Sequence, residues 1–100
     1  MSTVALKTLA EETGGELIGA TVPLGKLALD SRHVDKGDLF AAIMGSQVDG
    51  HDYAVEALSA GAAALLTQRK LEGIAPQLVV SSVTSATGRF GYLKRLAFSG

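Results

Sequence analysis

Hydrophobic positions along this 100-residue chain change period several times, and each change marks an expected element. Leu6, Leu9 and Ala10 recur at helical spacing, with Ser2 or Thr3 as the expected cap and Gly14-Gly15 as the stop. Residues 16–18 read as a short strand ended by Gly19, and Val22-Pro23-Leu24-Gly25 marks a turn before a strand at 26–29. Asp35-Lys36-Gly37-Asp38 is turn-forming by composition, and the unbroken apolar run 39–44 predicts a central strand buried on both faces. Residues 45–50 read as loop, with Asp49 or Asp52 to cap a helix whose inward stripe is Tyr53, Ala54, Ala57 and Leu58, and with Gly61 as its end. Strands at 62–67 and 78–80 then suggest βαβ topology. Thr84 or Ser85 is the expected cap of a last helix carrying Phe90, Leu93, Leu96 and Ala97. Gly88 and Gly91 inside that helix each cost roughly 1 kcal/mol relative to Ala, which predicts fraying. The pattern as a whole predicts one three-layer α/β domain with a small mixed sheet flanked by helices.

Composition narrows the chemistry more than the fold. Hydrophobic residues make up 47% of the chain and aromatics only 5%, so the core is built from Ala, Leu, Val and Ile. With no Cys there is no disulfide or thiolate metal site. Nine basic and ten acidic residues give a net charge of −1, which creates no global field toward nucleic acid or an anionic membrane, so an anion must be recognised locally. The first 30 residues hold no basic segment followed by a long apolar run, and no uncharged apolar stretch approaches the ~20 residues needed to span a bilayer. The cytoplasm is the expected compartment.

Two polar clusters flank the apolar run 39–44. Asp30-Ser31-Arg32 puts a carboxylate, a hydroxyl and a guanidinium at a strand end, where Ser31 and main-chain N–H groups could face a phosphate or base and Arg32 could clamp it. The bland alternative is an Asp-Ser turn with Arg32 solvated. Residues 45–51, Gly-Ser-Gln-Val-Asp-Gly-His, combine two glycines that let a backbone approach a ligand with side chains able to read a planar hydrogen-bonding edge. The alternative there is an ordinary strand-to-helix loop with Asp49 as cap and Gly50 left-handed. His33 and His51, the only histidines, lack metal-site spacing. Neither a G-x-x-x-x-G-K-[ST] loop nor a G-x-G-x-x-G fingerprint is present, so the chain has no recognised means of holding ATP or a dinucleotide.

The order LDSR, GDLFAAIMG, DGHDYAVEALSAGAAALL and PQLVV resembles the N-terminal domain of the Mur ligases, ATP-dependent amide-bond-forming enzymes of peptidoglycan precursor synthesis, over nearly the whole chain. LKTLAEETGGELIGA and PQLVV look more like the members that add D-Ala-D-Ala to a UDP-muramoyl tripeptide than those that add the third residue. The resemblance implies that this domain holds the uridine diphosphate end of a UDP-N-acetylmuramoyl-peptide. ATP and magnesium would belong to a central domain of the parent ligase, where a carboxylate is activated as an acyl phosphate and attacked by an amine. No cofactor is implied for this chain, which alone would not be catalytic. Carried over residue by residue, Leu29 would flank the uracil and Ser31 and Arg32 would sit by the uridine diphosphate. Ser46, Gln47, Asp49 and Gly50 would form the opposite lip, with His51 closing the loop onto the helix. Gln47 and Val48 stand where the family often has a basic or aromatic residue, and Ser81-Ser82-Val83-Thr84 replaces a usual Asp-Thr. The chain stops about where the family would run into its ATP-binding strand and loop, as expected of a truncated or separately expressed domain. The competing expectation is a non-enzymatic module derived from such a domain, with exposed faces that drive self-association.

Overall fold

The computed structural model describes residues 3–42 and 50–98. A short strand β1 (Val4–Ala5) leads directly into helix α1 (Leu6–Thr13). The helix buries Leu6, Leu9 and Ala10, one stripe at spacings of three and four. Gly14 ends it in a left-handed conformation at φ 71°, with its N–H donating 2.9 Å to the Ala10 carbonyl. Its start differs from the expected local cap, because Thr3 lies ahead of β1. The orphan N–H groups are met from far along the chain: Leu6 donates to the Val22 carbonyl at 2.9 Å, and Lys7 to Thr21 Oγ1 at 2.9 Å. The proposed turn at 22–25 likewise contains a strand, β3 (Pro23–Leu24), paired antiparallel with β1.

A five-stranded mixed sheet forms the middle layer. Its order is β2 (Glu16–Ile18), β7 (Gln77–Val79), β6 (Ala64–Thr67), β5 (Leu39–Ala41) and β4 (Leu27–Ala28), with β2 antiparallel and the others parallel. Helix α2 (Gly50–Ser59) connects β5 to β6, the expected βαβ unit, and helix α3 (Val83–Phe98) follows β7. Two-residue alternation splits the apolar strands between two cores. Leu39, Ala41, Ala64, Leu66 and Leu78 join Leu6, Leu9, Val83 and Phe90 on one face. Phe40, Ala42 and Leu65 join Ala54, Ala57, Leu71 and Ile74 on the other. The domain is therefore three-layered, with α1 and α3 on one face and α2 on the other. The alanines of the second core let α2 pack closely, so Phe40 supplies much of its bulk.

Three expectations need correction. Tyr53 does not belong to the buried stripe of α2 but is 45% exposed, because Ala54 and Ala57 turn toward the sheet one position away. Asp52 is the third residue of that helix, not the residue ahead of it where a cap would stand. Ser82, rather than Thr84 or Ser85, caps α3, its Oγ accepting from the Ser85 N–H at 3.2 Å.

The parallel step from β6 to β7 has no helix, and a buried amide organises it instead. Gln77 Nε2 donates to the carbonyls of Leu71 at 2.7 Å and Ile74 at 2.6 Å, while Oε1 accepts from the Leu71 N–H at 3.0 Å. A fully buried amide is tolerable because both its ends are hydrogen-bonded.

Candidate functional site

Parallel strands carry their C-terminal ends to one edge of the sheet, which is where α/β domains place ligands. At that edge β4 runs into Leu29 and Asp30 and then a single 3-10 turn, Ser31–His33. The strand does not continue through Ser31, so residues 30–32 do not alternate between faces as an extended segment would. Asp30 stays extended and its carboxylate folds the turn, accepting from the Arg32 N–H at 2.9 Å. The same carboxylate takes the Arg32 guanidinium side-on, with Nε to Oδ1 at 3.1 Å and Nη2 to Oδ2 at 2.9 Å. Those bonds, first from the Arg32 side chain and then from its N–H, hold the Asp30 carboxyl well below its ordinary range, at about 2. Arg32 is raised in return, chiefly by Asp30 and further by Glu56 and Tyr53 of α2, so the turn and the helix share one electrostatic neighbourhood.

Ser31 behaves unlike its neighbours. It is only 4% exposed, and its Oγ donates to Glu56 Oε1 at 3.0 Å, bridging the turn to the second turn of α2. Leu29 stands out at 60% exposed, and the Arg32 side chain is also largely solvated. The structure therefore brings Leu29, Ser31 and Arg32 together. Gly50 and His51 open α2 as helix, not loop. Ser46, Gln47 and Asp49 lie outside the described residues. Sequence reasoning missed Glu56, 25 residues from Ser31; a lone carboxylate on a helix gives no local hint of the turn it will brace.

Chemically, this edge offers an exposed apolar surface, a guanidinium already paired with a carboxylate, and a hydroxyl whose proton is committed. No group of three or more His, Cys, Asp or Glu among the described residues could hold a metal ion. Away from this edge, a hollow of about 250 Å3 opens between the end of α1 and the start of α3, lined by Glu12, Thr13, Ser81, Ser82, Ser85 and Arg89. Two of its hydroxyls serve the helix ends: Thr13 Oγ1 donates to the Leu9 carbonyl at 2.8 Å, and Ser82 caps α3. No helix among the described residues is long and apolar enough to cross a membrane.

A family profile described as "Mur ligase family, catalytic domain" matches residues 25–90, a span that holds both polar clusters. The chain is 40% identical over 88 residues to the UDP-N-acetylmuramoyl-tripeptide--D-alanyl-D-alanine ligase of Escherichia coli, covering 88% of this chain and 20% of that enzyme. It is 39% identical over 77 residues to the UDP-N-acetylmuramoyl-L-alanyl-D-glutamate--2,6-diaminopimelate ligase of Geobacillus thermodenitrificans, covering 75% of this chain and 16% of that one. Among solved structures, MurF from Acinetobacter baumannii superposes with a TM-score of 0.77 over 96% of this chain and 22% of its own, a likeness of fold at 24% identity. MurF ligase from Thermotoga maritima, solved with ADP, superposes with a TM-score of 0.62 at 35% identity, covering 75% of this chain and 18% of its own. The chain thus spans about a fifth of the length of the curated relatives it matches. On the profile match and the identity to both kinds of ligase, the chain belongs to the Mur ligase family, and the D-alanyl-D-alanine-adding members are among its relatives.

Proposed function

We propose that this chain is the nucleotide-substrate domain of a Mur-type ligase that adds D-Ala-D-Ala, and that it holds the uridine diphosphate end of a UDP-N-acetylmuramoyl-peptide. Leu29, Ser31 and Arg32 form one lip of the site, and Ser46, Gln47, Asp49, Gly50 and His51 the other. The observation that carries this reading is the bracing of the 30–33 turn onto α2 by Ser31 and Glu56, at the edge where β4 and β5 end together. An exposed Leu29 beside that turn gives a planar base an apolar surface to rest on. The matched relatives are named for UDP-N-acetylmuramoyl substrates, which supports the choice of ligand.

ATP and magnesium chemistry falls to the remainder of the parent ligase, in a central domain that is this domain's partner in the cytoplasm. The chain's own residues do not fit that role, having neither a phosphate loop nor a described metal-ligand cluster. What this domain contributes is positioning, which in whole enzymes is a sizeable share of the barrier. Binding by the domain alone is weak, with a dissociation constant on the order of a millimolar, about −4 kcal/mol. The test is Ser31→Ala in the full-length ligase. A raised KM for the nucleotide substrate with a folded protein is expected, and an unchanged KM would mean that the turn is only a turn.

A second reading rests on α3, where Tyr92 and Leu96, one turn apart, are 43% and 53% exposed. That face suits self-association of a non-enzymatic module. Sedimentation across a concentration series separates the two: a monomer at high concentration removes the second reading.

A further inference from the structure

The Ser31 hydroxyl has one proton and two lone pairs. Its proton is spent, because Oγ donates to Glu56 Oε1 at 3.0 Å, a bond between a buried hydroxyl at 4% exposure and a carboxylate on the exposed side of α2. To donate to a phosphate oxygen instead, Ser31 would have to abandon a charged acceptor in a covered position. The phosphate would then approach the Glu56 and Asp30 carboxylates, and the Arg32 guanidinium in their neighbourhood is already bound on two nitrogens by Asp30. Both electrostatics and hydrogen-bond bookkeeping disfavour an anion at this lip. Ser31 Oγ keeps acceptor capacity beyond the bond it donates, and at 4% exposure a ligand donor reaches it only by seating directly against the turn.

Resting on the nucleotide-binding reading above, we propose that Glu56 is a positioning residue: by taking the Ser31 proton it pins the 30–33 turn to α2 and converts Ser31 Oγ into an acceptor. This lip therefore meets a donor-bearing, uncharged part of the nucleotide, a base N–H or a ribose O–H, and leaves the diphosphate to other groups. Glu56 acts through Ser31 and through the fixed spacing of turn and helix, without touching the ligand.

The sign of a single substitution decides the matter. Amide NMR titrations of the chain with UDP and with inorganic pyrophosphate are run on the wild type, Glu56→Ala and Glu56→Gln, with a melting curve for each. UDP should shift the amides of residues 29–33 and of α2 in the wild type, and pyrophosphate should leave Ser31 unmoved. Glu56→Ala should weaken UDP about tenfold, whereas Glu56→Gln, whose Oε1 still accepts, should stay within about twofold. If Glu56→Ala instead tightens UDP or pyrophosphate, Ser31 donates to phosphate and Glu56 competes with it, which overturns the proposal. Unchanged affinity in Glu56→Ala, or a loss in Glu56→Gln as large as in Glu56→Ala, overturns it too. A wild type silent to UDP removes the nucleotide-binding reading itself, and this proposal with it. Should Glu56→Ala not fold, the Ser31 hydroxyl proton of the wild type is followed directly. Its cross-peak to Glu56 should persist at saturating UDP, and its disappearance would overturn the proposal.

Discussion

Where its parallel strands begin, the sheet is tied together by bonds from several elements; where β4 finishes, the described residues carry a short turn with exposed side chains. At the first end, Gly25 donates to the Gly37 carbonyl at 2.7 Å, Gly37 to the Gly61 carbonyl at 2.8 Å, and Ala63 to the Asp38 carbonyl at 2.8 Å. Lys26 Nζ sits 2.6 Å from Asp38 Oδ2 and 2.9 Å from Asp35 Oδ2, and Lys94 from the far helix donates to the Gly25 carbonyl at 3.0 Å. Burial alone would push the Asp38 carboxyl up, but the Lys26 ammonium and the Asp35 N–H outweigh it and hold it below the ordinary range. At the second end, among the described residues, the turn after β4 is folded by its own Asp30 and fastened to α2 by the Ser31–Glu56 bond, while Leu29 and Arg32 face solvent. The strand starts are thus cross-tied by several elements and the turn after β4 is not, and substitutions at the two ends should differ in kind.

The strand that joins the ends sets the upper limit. Phe40→Ala in β5 should destabilise the domain by roughly 3–5 kcal/mol, since Phe40 is 4% exposed and its neighbours across the core are mostly alanines that cannot refill the space. A chemical melt that matches the parent would contradict its placement.

At the strand starts, Gly61→Ala should cost about 2–3 kcal/mol, near the top of the range for backbone strain. Gly61 sits at φ 114°, and an added Cβ would lie 3.0 Å from Lys36 Cα. Unfolding by urea checks this, and a neutral result would mean that the seam can slacken.

Asp38→Ala should follow at about 1–2 kcal/mol, because the Asp35 N–H loses its acceptor while half-exposed Lys26 can regain water. Its stabilising effect belongs to the carboxylate. A depressed carboxyl contributes fully above its unfolded-state value and loses that contribution as pH falls through the folded one, so the gap between parent and variant should close in acid.

At the turn after β4, Arg32→Ala and Leu29→Ala should each change stability by no more than about 0.5 kcal/mol. Arg32→Ala has a separate signature. The Asp30 carboxyl, at about 2 in the parent, should rise toward the ordinary carboxylate range in a carbon-detected titration, stopping short of it because the Arg32 N–H bond survives the substitution. An Asp30 that stays at about 2 without Arg32 would show that the turn's N–H bonds, not the guanidinium, set its charge.

Much of the scaffold is written locally. The two-residue alternation of 39–42 and 64–66 determines which side chains face which core, and the 6, 9, 10 stripe followed by Gly14 determines α1 and its end. The turn at 35–38 follows from its composition, and the βαβ order follows from strands and helix in sequence. The presence of a polar turn after β4 was legible too, as were its residues Leu29, Ser31 and Arg32.

What the sequence could not settle is every assignment whose partner lies far along the chain. Thr21 and Val22 cap a helix that begins at Leu6, β1 finds β3, and Gln77 knits the loop from Leu71 to Ile74. Ser31 gives its proton to a carboxylate 25 positions away. Local periodicity encodes which face of an element is apolar, because burial depends on phase along a single helix or strand. Whether a hydroxyl donates or accepts depends on which group meets it across two packed elements, and only the tertiary structure decides that.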